Sequence, residues 1–207
     1  MIQEPASPTL FMDGEREKWN AKYADSDFGM PDHPTPALRD YIDDAPDGRA
    51  LDIATGTGRN AVFLAENGYE VDAIDISDEA LSAARRNAER EGVDGINWIQ
   101  ADVDEYIFAV DTYEVVVSSF YYNMNRFPDF KRAVAPGGYL IYRHHLRVEN
   151  PSEYSGPSDN RVRLAPNDAL RACLDMNVVY YTEGRRREED GSRKSAVASV
   201  VACKTSR

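Results

Sequence analysis

Lysine, cysteine and long apolar runs are scarce in this chain, and each shortage removes a class of function. Two cysteines, Cys173 and Cys203, serve 207 residues. A chain of this length buries a core without staples, so free thiols are expected, with the cytoplasm as the default compartment. No apolar run approaches membrane-spanning length, and the first residues lack the basic and apolar regions of a secretory signal. No membrane partner is expected. Lysine is confined to positions 18, 22, 131, 194 and 204; the other basic residues are arginine, aspartate exceeds glutamate, and the net charge is −12. Such a surface repels phosphate backbones, so no nucleic-acid partner is expected. It suits either a halophilic protein, whose charge repulsion concentrated salt screens, or an ordinary acidic enzyme of the cytosol. Internal repeats and low-complexity tracts are absent.

What is present begins at Arg49. Residues Arg49 to Ala54 read as a short buried strand that runs into an acidic residue, Asp52, and a Gly56-Thr57-Gly58 turn. A helical pattern starts at Asn60 and stops at Gly68. Strand, glycine turn and helix make a nucleotide-type binding unit, because glycine lets the backbone turn tightly and approach a ligand. A second strand, Glu70 to Asp75, ends on a carboxylate about 20 positions after the glycines, the spacing that suits a ribose diol. Asp52 discriminates between ligands. A pyrophosphate is repelled by a carboxylate before the turn, whereas a ligand carrying ammonium and sulfonium groups is attracted. S-adenosylmethionine answers that description. The plainer reading leaves a tight turn capped by Asp52.

Residues Asp52 to Ser77 resemble the cofactor half of class I S-adenosylmethionine-dependent methyltransferases. Gly58 to Val71, with Ala73-Ile74-Asp75, is similar to the small tellurite-resistance-type and thiol-type branch. One departure is Ala54, where that family often has glycine. The resemblance implies a Rossmann-like α/β fold: a seven-stranded, mostly parallel sheet, helices on both faces, and a C-terminal antiparallel hairpin. The element pattern agrees. Residues 1–14 read as a loose arm and 15–207 as a single domain. Within it lie cap helices (15–48), a cofactor core (49–146), a lid insert (147–164), and a C-terminal helix and hairpin (165–207). Helices are expected from Glu15 to Ala24, from Pro36 toward Asp44, from Asp78 behind an N-cap Ser77 to Glu91, from Arg126 to Ala135 and from Ala165 to Met176. Strands are expected at Ile96–Gln100, Tyr113–Phe120, Tyr139–His144, Val178–Glu183 and Ser195–Cys203. The charged Gly184 to Lys194 loop reads as a solvated hairpin tip.

Ligands of open α/β sheets bind outside the carboxyl ends of the strands, which selects the candidates. The cofactor set is Trp19, Tyr23, Asp52, Ala54, Gly56, Gly58, Asn60, Asp75, Ile76, Asp102, Val103 and Ser118. The resemblance gives Asp102 the exocyclic amine of adenine and lets an N-terminal segment bearing Trp19 and Tyr23 cover the cofactor; a surface carboxylate and a staple onto the core are the structural alternatives. Ile76 either packs on adenine or fills core. The catalytic set is Tyr121, Tyr122, His144 and His145. The aromatics either wall a small-molecule pocket or fill core, and the Asn-Pro-Pro-Tyr type of motif found in many nucleic-acid and amide methyltransferases is missing here. His144 and His145 are strand neighbours on opposite faces, so a metal pair is disfavoured and no metal is expected; one of them could serve as a base. His33 is a further lid candidate. Arg161 and Arg163 either hold an anionic acceptor or are solvated surface. The resulting expectation is methyl transfer to a small-molecule acceptor by a monomer or homodimer. The alternatives are a nicotinamide-dependent oxidoreductase and a non-catalytic S-adenosylmethionine-binding sensor.

Overall fold

The computed structural model describes residues 8–25, 32–187 and 194–205. The first expected strand forms where the apolar run demands it: β1 (Arg49–Ile53) is followed by α3 (Arg59–Glu66), β2 (Glu70–Asp75), α4 (Asp78–Glu91) and β3 (Ile96–Gln100). Before them stand α1 (Pro8–Ala24) and α2 (Pro36–Tyr41). After them come β4 (Tyr113–Ser119), α5 (Phe127–Ala133), β5 (Val134–His145), α6 (Asp168–Ala172), β6 (Asn177–Arg187) and β7 (Lys194–Cys203). The strands form one seven-stranded sheet in the order β3-β2-β1-β4-β5-β7-β6. The pairs from β3 through β5 are parallel, and β7 lies antiparallel between β5 and β6. The strand order reverses between β1 and β4, so the crevice above their carboxyl ends is where such a sheet binds a ligand.

Alternate residues of each strand feed two cores. Leu51, Ile53, Val116, Leu140, Tyr142 and Val200 pack with Phe127, Phe130 and Ala133 of α5 and with Ala169 of α6. Ala50, Ala73, Val115, Val117, Ile141 and Val201 pack with Leu38 of α2 and with Ala61 and Leu64 of α3. Among the described residues no helix is long and apolar enough to cross a membrane.

Several boundaries differ from expectation, each for a local reason. α1 begins at Pro8, inside the stretch expected to be a loose arm. Residues Ile42–Asp44, expected as the end of one helix, tighten into a 3-10 turn after α2. α5 ends at Ala133 because β5 already starts at Val134; the last carbonyls are taken by the Lys204 ammonium, which reaches Lys131, Arg132 and Val134 oxygens at 3.1, 3.3 and 2.7 Å. The Pro136-Gly137-Gly138 segment is a bulge inside β5, since Tyr113 pairs with Val134 and Val115 with Tyr139. α6 is much shorter than the expected Ala165 to Met176. Asn167 before it is left-handed (φ 64°), and Lys131 binds the Ala172 carbonyl at its end. The hairpin strands extend to Arg187 and from Lys194; residues 188–193 of its tip lie outside the described residues.

The turn after β1 explains a preference for glycine. Ala54 has φ 55°, in the left-handed region where a Cβ costs roughly 1–2 kcal/mol. Ala54→Gly should therefore raise the urea midpoint by an amount equivalent to about 1 kcal/mol without changing the slope. A lower midpoint would show that the Ala54 methyl contributes more packing than its backbone costs.

Candidate functional site

The site is built on Asp52, whose side chain is 1% exposed at the end of β1. Its Oδ2 accepts from the Thr55 hydroxyl at 2.5 Å and from the Ala61 amide at 3.1 Å, so one carboxylate oxygen ties strand, turn and helix together. Its Oδ1 is buried with no partner in the protein. Burial pushes the Asp52 carboxyl up to about 6, against the Thr55 hydroxyl, the Arg59 charge and the Asn60 and Ala61 contacts, which favour the ionised form. Asp75, at the end of β2, is 5% exposed. It accepts from Gly56 N at 2.8 Å and from Ser77 N at 2.9 Å, and burial raises its pKa above the usual carboxylate range. Gly56 is left-handed with φ 57°, which presents its N–H to that carboxylate. Gly58 (φ 81°) is a packing glycine: a Cβ there would stand 2.9 Å from both Ala84 and Trp98.

A second cross-link closes the top of the crevice. Asn60 Oδ1 accepts from Thr35 N at 2.9 Å, and the Thr35 hydroxyl lies 2.5 Å from that of Ser119 at the tip of β4. Arg59 donates to the carbonyl of exposed His33 at 2.7 Å, lies 5.8 Å from the Phe120 ring and acts electrostatically on Asp52. Arg59 and Thr35 were not among the sequence candidates. The signal for Arg59 was its place between the second glycine and Asn60, one residue inside the helix; nothing in the sequence marked Thr35.

Beyond β4 the two histidines part as strand neighbours should. His144 is 1% exposed, and its Nε2 lies 3.1 Å from the Val162 carbonyl, so Nε2 carries the proton and Nδ1 is a buried lone pair without a partner in the protein. Tyr122 lies 5.4 Å from its ring. His145 instead stacks on Phe120 at 4.6 Å, and Phe120 holds a left-handed backbone (φ 63°). Arg143 lies 5.5 Å from the same Phe120 ring. Gly156 of the insert presses on His145, where a Cβ would come within 2.4 Å of the imidazole. Burial lowers His144 to about 3, helped by His145 and Arg163; it lowers His145 to about 4, helped by Arg163 and Arg143.

The other candidates fall differently. Ser118 is fully buried beside β1, and its hydroxyl has no partner in the protein. Val103 is 4% exposed and belongs to the core. Asp102 folds onto Asp104 N at 2.8 Å, and Ile76 is half-buried. The Tyr121 hydroxyl is bonded to Asp104, and its ring packs near Phe130 at 6.4 Å. Trp19 and Tyr23 face each other at 6.2 Å on α1. Arg163 is corrected outright: it is neither solvated nor available to an acceptor. It is fully buried and donates to the carbonyls of Pro157, Leu146 and Ser155 at 2.7, 3.0 and 2.9 Å. Arg161 is exposed and paired with Asp159.

Residues 50–138 match the family model described as "Methyltransferase domain". The matched stretch runs from β1 into β5 and holds Asp52, the glycine turn and Asp75. The chain is 32% identical over 98 residues to demethylmenaquinone methyltransferase of Clavibacter sepedonicus, covering 45% of this chain and 39% of that protein. It is 33% identical over 107 residues to the putative methyltransferase YqeM of Bacillus subtilis, covering 47% and 42%. The chain thus spans about two-fifths of the length of these curated relatives. The fold is similar to that of TehB from Haemophilus influenzae, with a TM-score of 0.70 over 92% of this chain and 67% of that one at 19% identity. The methyltransferase domain's strand ends fit S-adenosylmethionine: the unpartnered Asp52 oxygen suits a cation, and the Asp52 and Asp75 carboxylates oppose a pyrophosphate.

The histidines give the domain a defined response to acid. Below about pH 6.5 the unfolded chain takes up protons that native His144 and His145 refuse until about pH 3 and 4. The unfolded state then binds more protons, so this contribution to stability falls as pH drops from about 6.5 to about 4. His144→Gln, which can still donate to Val162, should flatten the urea-measured stability profile in that window. An unchanged slope would mean that the ring is protonated in the native protein.

Proposed function

We propose that the chain transfers the methyl group of S-adenosylmethionine to a small-molecule acceptor. One observation carries the reading: the switch-point strand β1 ends in a buried carboxylate with a free oxygen, on a sheet whose β7 runs antiparallel between β5 and β6. A dinucleotide-binding sheet has the order 3-2-1-4-5-6 with phosphate at the first glycine turn, so sheet and carboxylate both count against the oxidoreductase alternative.

Bound there, S-adenosylmethionine supplies a methyl group already activated by its sulfonium. The residues then have simple tasks. Asp52 Oδ1 takes the ammonium end. Asp75 accepts the ribose hydroxyls with the lone pairs that Gly56 and Ser77 leave. Asp102 and Ile76 border the adenine, while Ala54, Gly56, Gly58 and Asn60 shape the turn and Ser118 lies at its far side. The acceptor lies between Tyr122, His144 and His145, and the insert that presses Gly156 on His145 covers it. Displacement at a methyl group needs alignment and exclusion of water more than a base, and imidazoles held neutral by burial suit that task. An acidic surface and a short insert favour a small acceptor over a polyanion.

Calorimetry with S-adenosylmethionine, S-adenosylhomocysteine and NAD tests the cofactor. The first two should bind and NAD should not. S-adenosylmethionine affinity should weaken as pH falls through about 6, where Asp52 gains its proton. Binding of NAD alone would replace the reading with the oxidoreductase. Labelled donor offered to thiols, chalcogen oxyanions, phenols and amines tests transfer. Binding without turnover on every class would leave the sensor reading.

A further inference from the structure

Thr35 opens α2 as its N-cap and is fully buried. A threonine in that place ordinarily turns its hydroxyl onto the second or third amide of its own helix. This one makes no such bond. Only its carbonyl serves α2, accepting from Leu38 N and Arg39 N at 2.9 and 3.1 Å. The hydroxyl reaches instead to that of Ser119 at the tip of β4, 2.5 Å away, and Thr35 N donates to Asn60 Oδ1 at 2.9 Å. A local cap is given up for a long-range tie.

That tie holds the end of β4. Ser119 pairs with Arg143 of β5, and the next residue, Phe120, is left-handed at φ 63°. A bulky residue keeps such a backbone only where its surroundings over-determine it. Phe120 N donates to the Arg143 carbonyl at 2.8 Å, and the Ser119 hydroxyl anchors the residue before it. The turn aims the Phe120 ring at His145, 4.6 Å between centroids, and brings Tyr122 to 5.4 Å from the His144 ring.

We infer that Thr35 is a positioning residue for the acceptor end of the crevice: through Ser119, its hydroxyl holds the left-handed turn that keeps Phe120 on His145 and Tyr122 beside His144. The role rests on the acceptor placement proposed above, and Thr35 itself touches no reacting group. Its N–H serves Asn60, which contacts Asp52, while its hydroxyl serves Ser119. One residue thereby registers the donor and acceptor ends against each other.

The test uses the full chain and the imidazole of His145 as reporter. The charged and titratable groups that face this ring are Arg143 and His144 of β5 and Arg163 of the insert; the Phe120 ring and Gly156 cover it. Burial is the main reason that its pKa lies at about 4, so loosening Phe120 should raise it. Thr35→Val keeps the shape and the bond to Asn60 but loses the hydroxyl. By NMR titration its His145 should bind protons about tenfold more tightly than in wild type, a rise of about one pH unit. The Phe120 amide should exchange faster, and S-adenosylhomocysteine affinity should stay within about twofold. Thr35→Ser should behave as wild type. Ser119→Ala should reproduce the valine variant, and the double variant should add nothing further. Ser119→Ala carries the test alone if Thr35→Val does not fold. An unmoved His145 titration in the folded variant, or additive effects of the two substitutions, would overturn the role of Thr35 while leaving the cofactor reading intact. Failure of the wild type to bind S-adenosylhomocysteine would remove the cofactor reading, and the role of Thr35 with it.

Discussion

Everything at the carboxyl edge of the sheet depends on one carboxylate oxygen, Asp52 Oδ2. It draws the Thr55 hydroxyl and the Ala61 amide to the end of β1 and so fixes where the glycine turn lies and where α3 starts. The turn in turn delivers Gly56 N to Asp75, and Asn60 of α3 delivers its amide to Thr35. A buried carboxylate is costly in an apolar setting unless its lone pairs are used. Here one oxygen is used for architecture, and the other is left for a ligand. The same residue thereby builds the crevice and gives it a preference for positive charge.

The crevice divides by charge. Toward β2 the groups that matter are Asp52 and Asp75; toward β5 they are two neutral imidazoles influenced by Arg143 and Arg163. The two ends of the crevice thus offer a ligand different electrostatic surroundings. Such a contrast favours a cation near the two carboxylates even with the Arg59 guanidinium acting on Asp52.

The fold was legible because its signals are local and redundant. The apolar run at Arg49–Ala54, the glycines and the carboxylate at Asp75 each point to the same strand–turn–helix unit, and β1, α3, β2 and α4 form within a residue or two of where they were expected. The shared strand-end position of Asp52 and Asp75 was readable for the same reason. What could not be read depends on distant partners. α6 is cut short by a lysine on α5, and β5 starts early because its bulge is completed by Tyr113. Arg163 looked like a loop arginine because no local pattern records that three backbone carbonyls converge on it. Val103, adjacent to a strand-end aspartate, looked like a ligand neighbour but drops into the core once β3 is placed.

The insert after β5 is closed at its base. Leu164 N returns to the His145 carbonyl at 2.9 Å, Arg147 N meets the Leu164 carbonyl at 2.8 Å, and Asn160 brackets Val148 through both its amide atoms. The chain therefore leaves the sheet and rejoins it at nearly the same point, with Arg163 as an internal post around which the loop is wound. Such a loop is a cassette. Its interior can be shortened, lengthened or exchanged without moving a strand, provided that the two ends still pair, something replaces the post, and the tie from Ser155 N to the Lys194 carbonyl of β7 is made good. Exchange of this one loop can thus leave the β1 and β2 end of the sheet, with Asp52 and Asp75, untouched.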